Sequence, residues 1–177
     1  EVLCIWKETA GEDNLEVAAT LNSIGLVLYK LGDYQRALDT FIRSLHIRQS
    51  QLDERHRDIT VNLYNIATIH VELGNNDKAM HCLKDTLRIE RDSLGNDHMD
   101  VAQTLSHIAK VHQQRGEARE ALDCYQEVLR IQYCHQPGAD HIIWRTLQQM
   151  GNLYLLCGDI AKCIEFLAEG CRVAERS

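Results

Sequence analysis

"KLGDYQRALDTF", residues Lys30 to Phe41, places a glycine inside what otherwise reads as one amphipathic helix. Three near-copies follow: "ELGNNDKAMHCL" from Glu72 to Leu83, "QRGEAREALDCY" from Gln114 to Tyr125, and "LCGDIAKCIEFL" from Leu156 to Leu167. Their glycines, Gly32, Gly74, Gly116 and Gly158, stand 42 residues apart three times running, so the chain is a tandem array. The register holds through the whole unit. Leu21, Leu63, Leu105 and Leu147 superpose, as do Ile24, Ile66, Ile108 and Met150, and then Gly25, Ala67, Ala109 and Gly151. Further on, Ala37, Ala79, Ala121 and Cys163 align, followed by Phe41, Leu83, Tyr125 and Leu167.

Within one unit, Val17, Ala18, Leu21, Ile24, Gly25, Leu28 and Leu31 have the three-and-four spacing of a helix buried on one face. After Gly32 and Asp33 the pattern restarts at Tyr34, Ala37, Leu38, Phe41, Leu45 and Ile47, which predicts a second helix to about Gln51. Each unit is therefore a helical hairpin. The glycine falls just past the last periodic residue, where a left-handed backbone satisfies orphan carbonyls and reverses the chain. Small residues at Gly25 and Ala37 let the two helices approach closely. The connections "GEDNLE", "DERHRD", "GNDHMD" and "PGADHI", beginning at Gly11, Asp53, Gly95 and Pro137, carry turn and helix-start chemistry, and Pro137 is the only proline.

These boundaries give four repeats, residues 11–52, 53–94, 95–136 and 137–177. Residues 1–10 read as the end of a preceding second helix, because Leu3 and Ile5 fall 42 residues before Leu45 and Ile47. A solenoid usually has atypical terminal units, and none stands out here, so the expectation is a piece of a longer protein.

A formal net charge of −7 and a pI near 5.7 argue against a protein built to hold a phosphate backbone, so no nucleic-acid partner is expected. No apolar run approaches the roughly 20 residues that cross a bilayer, and no signal peptide is recognisable, so membrane insertion is not expected. Seven cysteines with no CxxC pair read as free thiols in a reducing compartment, and hence as an intracellular, cytoplasmic chain.

Nine histidines invite a search for metal ligands. His70 and His112 share a repeat position with Leu28 and Tyr154, which makes them packing residues with one hydrogen bond each. His56 and His98 share a linker position suited to a turn or cap. Cys82 and Cys124 align with Thr40, and no four-ligand set at zinc spacing appears, so no metal or other cofactor is expected. Glu117, Glu120 and Asp123 fall on solvated helix faces, and no phosphate loop follows a strand, so the segment is not expected to be an enzyme.

Leu21, Ile24, Gly25, Leu28, Gly32, Tyr34, Ala37 and Phe41 resemble the tetratricopeptide repeat, whose usual length is shorter than the 42 residues found here. The longer period and linkers such as "GNDHMDVAQTLSHIAKVH" from Gly95 are similar to the kinesin light chain subtype. That subtype commonly has a proline after the linker histidine; Met99 and Arg57 stand there instead. The resemblance implies an all-α solenoid, a right-handed superhelix of antiparallel helix pairs, with the first helices lining a concave groove.

First-helix residues facing away from the hairpin core are then the candidate lining. They are Ala19, Asn22, Leu26 and Tyr29, then Val61, Tyr64, Thr68 and Val71, then Gln103, Ser106, Lys110 and Gln113, and last Arg145, Gln148, Asn152 and Leu155. The first two sets offer apolar and aromatic surface, the last two amides, hydroxyls and two cations. A protein or peptide partner with mixed apolar and acidic character fits them, with Tyr64, Lys110 and Arg145 contributing most. A related subgroup grips a C-terminal carboxylate; Asn22, Asn152 and Lys110 resemble its residues, but the first unit has no groove lysine. The function expected is a non-catalytic protein–protein interaction scaffold or adaptor. The alternatives are a regulatory sensor module attached to a nucleotide-switch or effector domain, and a structural subunit buried in a large complex.

Overall fold

In the computed structural model, which describes residues 14–135 and 140–175, every regular element is an α-helix. The helices are α1 (Leu15–Lys30), α2 (Tyr34–Gln51), α3 (Arg57–Glu72), α4 (Asn76–Leu94), α5 (Met99–Gln114), α6 (Ala118–His135), α7 (Asp140–Leu156) and α8 (Ile160–Ala174). The expectations for residues 1–10, Gly11 and Pro137 lie outside the described residues.

The hairpin turn is the same in all four places. Leu31 caps α1, Gly32 takes a left-handed φ of 79°, and its N–H donates to the Tyr29 carbonyl at 3.0 Å. The Asp33 N–H reaches back to the Leu28 carbonyl, also at 3.0 Å, which completes a Schellman motif. Gly74, Gly116 and Gly158 repeat both bonds, with φ between 72° and 78°. Asp33 and Asp159 then serve a second time as N-caps, accepting from the Arg36 and Lys162 N–H groups. One short segment therefore ends one helix and begins the next.

The linkers start helices as their sequence requires. The His56 and His98 rings lie at N-cap positions, and each Nδ1 accepts the N–H of the residue two further on, Asp58 and Asp100, at 3.1 Å. Both histidines are caps.

Packing divides the chain into two compact units, residues 1–93 and 94–177. In the first, Val17, Ala18 and Leu21 of α1 bury against Ile47 of α2. A second cluster joins Ala37, Leu38 and Phe41 of α2 to Ile66 and Ile69 of α3. Arg48 of α2 is buried at the same junction. It donates to the Asp58 carbonyl at 2.8 Å and to the Asn62 Oδ1, while Asn62 donates to the Phe41 carbonyl at 3.0 Å. In the second unit one core runs from Ala109 through Leu122 and Tyr125 of α6 to Met150 and Leu153 of α7, and on to Val173 of α8. There the buried polar pair is Gln132 with Thr146, whose hydroxyl donates to the amide oxygen at 3.1 Å.

Three sequence expectations need correction. Leu31, read as the last apolar residue of the buried face, is exposed, as is Leu73 at the matching place. Both are C-caps, and the cap position turns outward; Arg115 holds the same slot in the third repeat. Ile24 is also exposed, although Ile66, Ile108 and Met150 are buried. The reason is position in the array: Ile66 packs on α2 and Met150 on α6, whereas no described helix precedes α1. Leu167, by the same logic at the other end, is partly exposed while Phe41, Leu83 and Tyr125 are buried.

Gly25 shows how tight the hairpin is. A Cβ there would lie 2.7 Å from the Phe41 ring, far inside contact distance. Repeat two carries Ala67 and Leu83 at these two positions. Gly25→Ala is therefore expected to destabilise the fold by about 1–3 kcal/mol through overpacking, and adding Phe41→Leu should recover part of that loss. Urea unfolding of the two variants beside the parent checks both statements.

Candidate partner-binding faces

The first helices present their outward faces as the sequence spacing requires, but the side chains there differ in how far they are already engaged. In the first unit Leu26 of α1 is exposed and Tyr29 is half-buried, its ring 5.7 Å from that of Tyr34. Asn22 is half-buried and accepts a hydrogen bond at 3.1 Å from the Asn65 amide, which couples α1 to α3. Asn65 was not among the residues expected at the face; its signal is an amide placed 43 residues after another. On α3, Tyr64 and Thr68 are half-buried, and the Thr68 hydroxyl donates to the Tyr64 carbonyl at 2.9 Å. Val61 is exposed. Val71, expected on the same face, is buried, whereas Leu155 at the matching position of α7 is exposed.

In the second unit Ser106 and Lys110 lie on α5, and Arg145, Gln148 and Asn152 on α7. Lys110, Arg145 and Asn152 are exposed, Gln148 is half-buried, and the Ser106 hydroxyl donates to the Ala102 carbonyl at 2.9 Å. The Gln113 amide oxygen accepts from the Tyr125 hydroxyl at 3.1 Å, and burial pushes that phenol up to about 12. The Tyr125 phenol therefore stays protonated across the physiological range. The first unit's face is apolar and aromatic; the second unit's is cationic and rich in amides. Among the described residues no helix is long and apolar enough to cross a membrane, and no group of three or more metal-ligating side chains gathers.

A surface cavity of about 340 Å3 opens in the first unit between the end of α2, the linker and the helices α3 and α4. Leu52, Ile59, Leu63 and Ile89 line it, with Glu54, Asp85 and Arg88 at its polar side. None of the candidate face residues borders it.

Comparison with known proteins gives the geometry a family. Two profiles described as Tetratricopeptide repeat match, one over residues 17–58 and the other over residues 58–133. The chain belongs to the tetratricopeptide repeat family. No curated protein matches its sequence. Among solved structures the array is similar to BtubC (BKLC) from P. vanneervenii, with a TM-score of 0.86 at 15% identity over 92% of this chain. It spans 65% of the length of that protein. A kinesin light chain-like protein of Podosopora anserina with nearly identical TPR-like repeats gives 0.82 at 16% identity, covering 99% of this chain and 83% of that one. MamA from Desulfovibrio magneticus RS-1 gives 0.73 at 15%, covering 99% and 83%. At such identities the likeness is one of fold, an all-α helical-repeat solenoid.

The repeat position shared by His70 and His112 lies in the turn at the end of a first helix, and the two histidines differ there. His112 meets Glu117 through Nδ1 at 2.5 Å. His70 is buried, and its Nδ1 finds no partner among the described residues, contrary to the expectation of one hydrogen bond at each. Burial, with the nearby Lys78 charge, holds the His70 imidazole below its ordinary value of 6.5. As pH falls below about 6.5, the unfolded chain takes up a proton that the folded one resists. The stability tied to His70 is therefore complete above that pH and is lost as pH falls toward the folded value. Replacing it with the leucine found at this position in the first repeat, His70→Leu, should flatten the decline in melting temperature between pH 7.5 and 5. Identical pH profiles for variant and parent would remove His70 as the cause.

Proposed function

We propose that this array is a non-catalytic adaptor whose first-helix faces bind an extended peptide segment of a partner protein. The observation that carries the reading is the difference in surface chemistry between the two units: Leu26, Tyr29, Val61 and Tyr64 in one, Lys110, Arg145, Gln148 and Asn152 in the other. A segment with apolar anchors at one end and acidic or amide-bearing residues at the other complements both. Tyr64 is suited to act as the anchor, because a half-buried aromatic gains much contact area for little lost side-chain freedom. Lys110 and Arg145, both exposed, supply steering and orientation more than affinity. Thr68 and Ser106 are poorer donors to a ligand, since each hydroxyl already serves a carbonyl of its own helix. The free thiols of Cys82, Cys124, Cys134, Cys157, Cys163 and Cys171 fit work in a reducing, cytoplasmic setting.

Affinity purification from the native source, followed by mass spectrometry and fluorescence anisotropy with the segment recovered, tests this reading. Tyr64→Ala is expected to weaken binding about tenfold or more. The Lys110→Ala, Arg145→Ala pair should slow association and reduce its dependence on salt. Full affinity in a folded variant carrying all three substitutions would refute the assignment.

A further inference from the structure

The cavity between the end of α2, the linker and helices α3 and α4 belongs to the second repeat, and the repeat register supplies a reason for it. Leu63 of α3 is half-buried there, whereas its counterparts Leu21, Leu105 and Leu147 are all buried. In the third repeat the linker is tied to the second helix: the Asp97 carboxylate accepts from the Arg130 guanidinium of α6 at 2.6 Å. One repeat earlier the same two positions hold Arg55 and Arg88, two cations that cannot pair with each other. Arg88 meets Asp92 on its own helix instead, 4.0 Å away. The linker lacks that tie, and the space beside it stays open, with buried Ile59 and Ile89 and half-buried Leu52 and Leu63 as its apolar lining.

At about 340 Å3 the cavity lies at the small end of the range for ligand sites, about 300–1,000 Å3, which suits one or two side chains rather than a folded element. Its polar side is negative in balance. Glu54 and Asp85 bring two carboxylates to the mouth, while Arg88, the lining cation, is already engaged by Asp92. We infer that this cavity seats an aliphatic side chain of a partner segment that carries Arg or Lys beside it, the cation resting on Glu54 and Asp85. Leu52, Leu63 and Ile89 shelter the aliphatic group, and a guanidinium at the mouth can meet a carboxylate through two parallel hydrogen bonds. An acidic segment would set like charge against both carboxylates. None of Leu26, Tyr64, Lys110 and Arg145 borders the cavity, and it selects the charge opposite to that favoured by Lys110 and Arg145, so it stands independently of the first-helix faces and their partner.

Three capped peptides test it on the whole chain: acetyl-Arg-Leu-Leu-Arg-amide, acetyl-Glu-Leu-Leu-Glu-amide and acetyl-Arg-Ser-Ser-Arg-amide, each titrated while the assigned methyl resonances of the protein are followed by NMR. The first should bind saturably with a Kd of about 1 mM or below, shifting the methyls of Leu52, Ile59, Leu63 and Ile89 and leaving those of Leu26 and Val61 in place. The acidic and the serine peptides should each bind about tenfold more weakly or not at all. Glu54→Gln combined with Asp85→Asn changes side chains at the mouth alone; circular dichroism should show it folded, with affinity for the first peptide reduced about fivefold at low salt. The peptide series on the parent decides the matter even if that variant is unstable. Absence of methyl shifts with the first peptide, equal binding of the acidic or the serine peptide, shifts confined to Leu26 and Val61, or unchanged affinity in the folded double variant would each overturn the proposal.

Discussion

The left-handed glycine that closes each first helix is the constraint on which the other contacts depend. At Gly32 the backbone turns through a conformation that other residues adopt only under strain, and two N–H groups return to satisfy carbonyls of the helix just ended. The reversal is completed within two residues, Gly32 and Asp33, so α2 has little freedom but to run back along α1. That enforced proximity is what brings Phe41 over Gly25, with no room for a side chain between. The same geometry at residues 74, 116 and 158 makes every unit a hairpin of one shape, and hairpins of one shape can stack through one kind of junction.

Stacking explains why the hairpins were legible in the sequence while the burial of particular residues was not. Helix limits, turn geometry and the close approach at Gly25 depend on residues within one unit, and the 42-residue register displays them four times over. Burial of the outer positions depends on a neighbour. Ile24 and Ile66 are the same residue at the same phase of the same kind of helix, yet only Ile66 has α2 to cover it. A hydrophobic period reports which face a helix would bury, and the presence of a covering helix is a property of the array. Leu31 failed for a more local reason. It continues the apolar spacing by one step into the cap, where the helix no longer holds a buried side.

The candidate faces were legible to a similar degree. Helical phase placed Leu26, Tyr64, Lys110 and Arg145 outward, and they do reach the surface to differing extents. What the phase could not convey is prior commitment: Asn22 is held by Asn65, and the Thr68 and Ser106 hydroxyls by their own helices. Such bonds need rotamers and neighbouring elements before they can be seen. The linker histidines show the contrary case. His56 and His98 were recognisable as turn residues because an N-cap requires only an acceptor two residues before a free N–H, and that requirement is wholly local.

The buried polar pairs introduce individuality into a repeating frame. Repeat positions 48, 90 and 132 hold Arg, Glu and Gln in a slot where the helical period calls for an interior residue, and positions 62, 104 and 146 hold Asn, Thr and Thr. Arg48 is desolvated, which lowers its pKa against the opposing pull of Asp58, and it is compensated by hydrogen bonds to Asn62 and the Asp58 carbonyl and by the Asp58 carboxylate 3.7 Å away. Gln132 in that place would carry no charge to meet the Asp58 carboxylate. Arg48 in turn would meet Thr146 and Ile142 beside α7, and lose both the amide oxygen and the carboxylate. Apolar residues at these slots would remove that polar distinction, since the surrounding interior positions are apolar at each of these junctions. Distinct polar pairs make a wrong neighbour costly by leaving a buried group unpartnered, and they do so without altering the shape of the junction. The α2–α3 and α6–α7 junctions are thus told apart by chemistry rather than by shape.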